Sequence, residues 1–115
     1  MVITNDLHEP PTERQLLARA RAGEAAAFCL LIGPLESRLF RQAAALTNDL
    51  SAAEDLVSET RVRAWEGLAR YNETCRLSTW LYAILLHCHQ EAVRRARIRP
   101  ISLARLPFPA ARECA

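Results

Sequence analysis

Lysine is missing from this chain: all 15 of its basic residues are arginine. Any cationic surface therefore grips phosphates and stacks on bases through planar guanidinium groups, in a way lysine does not. Only 3 glycines are present, and none builds a phosphate-cradling loop or a nucleophile turn. No Ser, His and Asp set is suggested by pattern either, so an enzyme is not expected. The four cysteines, at 29, 75, 88 and 114, include no CxxC pair. No segment reads as a signal peptide or as an apolar run long enough to span a membrane, which makes a reduced cytoplasmic setting the expectation. Aromatics make up 6% of the chain while Ala and Leu abound, which favours helices over strands. Internal repeats and low-complexity tracts are lacking as well.

What is present is helical patterning. With 115 residues and 50% hydrophobic content, the chain is expected to be one domain with a real core. Residues 1–11 read as a polar tail. Thr12 and Gln15 then form a capping box for a short helix that turns Leu16, Leu17 and Ala20 inward and ends at Gly23. A second helix is predicted from Glu24 to Leu46, with Phe28, Leu31, Leu35, Leu39, Ala43 and Leu46 on one stripe. Pro34 should kink or break it. Thr47 to Leu50 reads as a turn, because Asn48 and Asp49 tolerate left-handed backbone.

Ser51 and Glu54 suggest a capping box for a third helix reaching about Leu68, with Leu56, Val57, Thr60, Ala64 and Trp65 on its apolar stripe. Residues 69–77 lack an apolar period and read as an exposed loop. Ser78 or Thr79 should cap a last helix, Trp80 to about Arg97, which passes from apolar to basic and stops at Pro100. Residues 100–115, with Pro100, Pro107 and Pro109, read as a linker. The expected fold is all-α: a compact bundle of about four helices over residues 12–99, with a proline-containing C-terminal tail.

Charge is unevenly placed, although the net value of +2 is too small to announce nucleic acid by itself. Asp55, Glu59 and Glu66 gather on the outer face of the third helix, with Glu54 beside them, and suit a basic protein partner. Arg94, Arg95, Arg97 and Arg99 gather at the end of the last helix and suit phosphates. On charge alone, the first cluster reads sooner as a solvated face, and the second reads equally as a helix end complementing the macrodipole.

Taken in order, Ala53-Glu54-Asp55-Leu56-Val57, Glu59-Thr60, Arg63-Ala64-Trp65, Arg70-Tyr71, Ser78-Thr79-Trp80-Leu81-Tyr82 and the closing arginines resemble region 2 of bacterial sigma factors of the extracytoplasmic-function group. The likeness covers roughly residues 12–100, opening on Leu16 to Phe28. It implies a bacterial cytoplasmic protein that binds core RNA polymerase and recognises and melts the minus-ten promoter element in transcription initiation. Asp55, Leu56, Val57, Glu59 and Arg63 would face the clamp helices of the largest polymerase subunit. The loop from Arg70 to Ser78 would trap an unstacked base of the non-template strand. There Tyr71 would stack, Asn72 would meet a base edge, and Arg70 and Arg76 would hold phosphates. Thr79 and Trp80 would lie near the melted strand, and Arg94, Arg95 and Arg97 beside the duplex backbone. Without the likeness, Tyr71 reads as a loop anchor and Trp80 as core.

Three departures from the pattern stand out. Ala83-Ile84-Leu85-Leu86-His87 replaces a common Arg-Ile-Ala-Arg-Asn, removing two cations and an amide from the DNA side. Ser58 replaces a common Gln, and Arg61 stands where Phe is common, which lightens the core or adds a surface cation. The lost cations leave room for a second reading, a sigma mimic that occupies an anti-sigma factor without touching DNA. An anti-sigma partner is expected on either reading. No cofactor or metal is expected: His87 and His89, two apart on a helix, point to different faces and cannot chelate one ion together.

Overall fold

The structure, a computed structural model, describes residues 11–102, with side chains described as far as Arg97. Its elements are α1 (Glu13–Arg21), α2 (Ala25–Thr47), α3 (Leu50–Gly67), a 3-10 turn (Leu68–Arg70) and α4 (Leu77–Ser102). Among the described residues there is no strand, and no helix is long and apolar enough to cross a membrane. The expected tail before Pro11 and most of the expected linker lie outside the described residues. The chain forms two compact units that divide after Pro34.

In the first unit the Thr12 capping box is formed as expected. Gln15 N donates to Thr12 Oγ1 at 3.1 Å, and Thr12 N donates to Gln15 Oε1 at 2.9 Å. Leu16, Leu17 and Ala20 are buried, as are Ala27, Phe28, Leu31 and Ile32 of α2. Gly23, at φ 100°, takes the left-handed conformation that ends α1, and its N–H donates to the Ala20 carbonyl at 2.9 Å.

Of the kink or break expected at Pro34, a break does not occur: α2 continues through it. Proline clashes with the Cβ of the residue before it and with the carbonyl four residues back. Here Gly33 has no Cβ, and Leu30, which owns that carbonyl, is exposed.

In the second unit Asn48, at φ 59°, makes the turn before α3. The cap of α3 is Asp49 and not Ser51: its carboxylate accepts from Ser51 N at 2.9 Å and Ala52 N at 3.2 Å. The helix begins one residue before Ser51, which places that serine inside the first turn. Ala53, Leu56, Val57, Thr60 and Ala64 of α3 are buried, and α3 packs against α4. From α4 come Leu77, Trp80, Leu81, Leu85 and Cys88, while α2 contributes Leu39 and Ala43. The buried Thr60 hydroxyl is satisfied by donating to Leu56 O at 2.8 Å. Trp65 leaves the expected stripe and is 38% exposed. It lies one residue past Ala64, about 100° round the helix.

α4 starts at Leu77, earlier than expected, with Trp80 N donating to the Arg76 carbonyl at 3.0 Å. Burial of Leu77 fixes that first turn. Pro100 does not stop α4, which ends at Ser102.

Candidate functional site

With one side of α3 committed to the core, its other side is presented outward. Glu54, Asp55, Ser58, Val62, Trp65 and Glu66 are all exposed. Val62 is 55% exposed and stands one turn from Trp65, so two apolar side chains sit among three carboxylates. Glu54, Asp55 and Glu66 make no ion pair among the described residues.

Leu56 and Val57 behave differently from the expectation that they face a partner: they are 6% and 8% exposed. Their alternation with Asp55 and Ser58 puts them on the stripe that packs inward, so they hold the acidic face in place. Arg63 is likewise engaged within the fold. One of its nitrogens, Nη2, donates to Glu59 Oε2 at 2.9 Å and to Glu91 Oε1 of α4 at 3.0 Å. Burial works against the Arg63 charge, but the pull of Cys88, Glu91 and Glu59 outweighs it and holds the guanidinium more firmly protonated than usual. Arg61 is the surface cation of the two alternatives the sequence left open, paired with Glu36 of α2 at 2.7 Å.

The loop after the 3-10 turn is built around two aromatic anchors. Tyr71 and Trp80 are 4% and 3% exposed, and their rings lie 4.8 Å apart at 33°. The Tyr71 hydroxyl donates to the Cys75 carbonyl at 2.5 Å, which closes the loop. Both rings are buried, in keeping with the anchor and core readings of the sequence, and present little surface to a base. Buried Trp80 Nε1 has no hydrogen-bond partner among the described residues.

Outside the anchors, Asn72 Oδ1 accepts from Thr74 N at 3.1 Å and from Thr74 Oγ1 at 2.8 Å, with Glu73 between them at φ 62°. This turn holds Asn72 outward with its carbonyl oxygen occupied, leaving the amide NH2 to donate. Arg70, Arg76 and Thr79 are exposed around it, as are Arg94, Arg95 and Arg97 further along α4. The side chain of Arg99 lies outside the described set.

Residues 31–98 match the family model described as sigma-70 region 2. The chain belongs to that family. It is 30% identical over 86 residues to the probable RNA polymerase sigma factor RfaY of Xanthomonas campestris, covering 75% of this chain and 22% of that protein. It is 35% identical over 83 residues to the ECF RNA polymerase sigma factor SigL of Mycobacterium tuberculosis, covering 71% of this chain and 47% of that one. The chain thus spans less than half the length of these relatives.

In this sigma-70 region 2 chain the structure brings Asn72, Arg76 and Arg70 to one loop, and Asp55, Glu54 and Glu66 to one helix face. It takes Leu56, Val57, Tyr71 and Trp80 inside. Val62 and Trp65 are the residues that reading the sequence missed on the α3 face. Their signal was the helical angle of Trp65, which falls outside the stripe through Thr60 and Ala64.

Beneath that face lies Cys88, whose thiol is pushed up to about 11, from an ordinary 9.0, by burial and by the nearby Glu59 carboxylate. A thiol that ionises less readily when folded stabilises the fold fully below pH 9.0, and that contribution is lost as pH rises through about 11. Between these limits the unfolding free energy should fall by about 2 kcal/mol more in the natural chain than in Cys88→Ala. Urea unfolding of both proteins at a series of alkaline pH values measures this, undisturbed by lysines. Parallel pH profiles would contradict the assignment.

Proposed function

We propose that this chain is the polymerase-binding and promoter-opening part of a sigma factor acting in transcription initiation. The observation that carries the reading is the outer face of α3, where unpaired carboxylates surround Val62 and Trp65 on a helix anchored from behind. Such a surface fits a basic helical partner: the apolar pair supplies buried area, and the carboxylates accept charge-assisted bonds from partner arginines and set register. On this reading the partner is the clamp of the largest subunit of core RNA polymerase.

The loop from Asn72 to Arg76 meets the opened non-template strand of the minus-ten element. Asn72 donates its amide hydrogens to an acceptor on a flipped base edge, while Arg70 and Arg76 hold the flanking phosphates. Unpairing costs a few kcal/mol per base, and capture of the freed base and strand offsets it, so binding energy opens the duplex and no covalent step is involved. Arg94, Arg95 and Arg97 extend the cationic track along α4.

Asn72→Ala and Arg76→Ala should each weaken binding of the full chain to single-stranded promoter DNA by about tenfold while leaving capture of core polymerase intact. Arg76→Ala should also flatten the salt dependence by about 0.7 in the log–log slope. Unchanged DNA affinity would remove the base-trapping role. The uncharged stretch Ala83 to Leu86 favours the second reading, an anti-sigma decoy. Capture of an anti-sigma protein with neither polymerase nor DNA bound would establish it instead.

A further inference from the structure

Thr74 is an exposed residue of the loop between Tyr71 and α4, and no motif in the sequence singles it out. It supplies both hydrogen bonds that the Asn72 side chain receives. Thr74 N donates to Asn72 Oδ1 at 3.1 Å, and Thr74 Oγ1 donates to the same oxygen at 2.8 Å. A main-chain N–H only donates, so the atom it meets has to be the amide oxygen and not the amide nitrogen. Glu73 between them holds φ 62°, a left-handed conformation uncommon for such a side chain, which folds Thr74 back over Asn72.

A carbonyl oxygen has two lone pairs, and Thr74 takes both. Asn72 is exposed, and its Nδ2 makes no hydrogen bond among the described residues. Toward anything outside the chain this side chain is therefore a donor only. An unconstrained asparagine amide reads adenine by donating to N7 and accepting from the N6 amino group, whereas a group that only donates suits guanine, where O6 and N7 both accept. Set against adenine, Nδ2 still reaches N7, but the N6 amino group finds no acceptor beside it.

We infer that Thr74 is a specificity-determining residue of this loop: by occupying both lone pairs of Asn72 Oδ1 it makes the Asn72 amide a one-way donor, so that the loop selects guanine over adenine as the freed purine. This rests on the base-trapping reading of the loop. Thr74 acts through Asn72 and is a positioning residue, with no contact to the base required of it.

The test is binding of the full chain to single-stranded promoter DNA in which each minus-ten position in turn carries guanine or adenine. The natural chain, Thr74→Ala, Thr74→Ser and Asn72→Ala are compared. At one position the natural chain should bind guanine about tenfold tighter than adenine. Thr74→Ala keeps the main-chain bond that orients the amide but uncovers one lone pair of Oδ1, so adenine should gain and the ratio should fall to about twofold or less. Thr74→Ser returns the hydroxyl and should return the tenfold ratio, about that of the natural chain. Asn72→Ala should bind more weakly and without preference.

A role for Thr74 confined to holding the turn would weaken Thr74→Ala for both bases equally, with the ratio unchanged, and would overturn the proposal. So would a natural chain that favours adenine or neither purine, or a guanine preference that survives in a weakened Asn72→Ala and so belongs to the arginines. These outcomes leave base trapping standing. Affinities unaltered by Asn72→Ala on every strand would remove base trapping itself, and the proposal with it.

Discussion

Trp80→Ala should destabilise the protein by about 3–5 kcal/mol, the largest stability effect expected of any single change in the described residues. The indole is 3% exposed and stacks on Tyr71 at 4.8 Å, so truncation opens a cavity and also frees the Tyr71 ring that closes the loop. Trp80→Phe is the informative companion. It keeps an aromatic against Tyr71 and deletes the Nε1 donor, which is buried without an acceptor. An orphaned donor costs about 1–3 kcal/mol, which offsets much of the packing lost with the smaller ring. Trp80→Phe should therefore unfold within about 1.5 kcal/mol of the natural chain and bind single-stranded promoter DNA equally well. Urea unfolding and DNA titration of both variants check this. Loss of DNA affinity in folded Trp80→Phe would return the indole to the list of base contacts.

The second large effect concerns the α3 face. Trp65→Ala and Asp55→Arg should each lower affinity for core polymerase by about tenfold to a hundredfold, with melting temperatures close to that of the natural chain. An exposed tryptophan ringed by charges is the kind of side chain that dominates an interface, because a partner can desolvate it fully. Reversing Asp55 replaces attraction to a partner cation by repulsion, and the exposed site has no core to disturb. Titration of labelled chain with core polymerase, alongside a thermal melt, separates the two quantities. Equal affinity in both variants would take α3 out of the interface.

How far the sequence was legible depended on how local the deciding physics was. Capping at Thr12, the glycine stop at Gly23 and the left-handed turn at Asn48 are settled by residues within four positions of one another, and all three are present in the structure. Starts and stops that depend on tertiary burial were misplaced. Leu77 opens α4 early because it is buried, whereas the Asp49 cap of α3 is local and exposed and lies two residues before the serine expected. Pro34 passed through a helix because its neighbours happened to relieve it.

In the candidate site, the acidic residues and the outward loop could be placed from periodicity alone. The inward turn of Leu56 and Val57 was contained in the same periodicity but was overridden by the motif they belong to. Arg63 is the clearest limit: its partner Glu91 lies 28 residues away in sequence. No spacing rule joins α3 to α4 across that distance until packing has brought them together.

The most direct measurement places a photo-crosslinking side chain at Val62, as Val62→benzoylphenylalanine, and irradiates the full chain with core RNA polymerase. A matched probe goes at Val93, which is exposed on α4 instead. An interface centred on the α3 face requires a strong crosslink from position 62 to the largest polymerase subunit and a weak one from 93. Crosslinking from 93 with none from 62, while the chain remains bound, would contradict it.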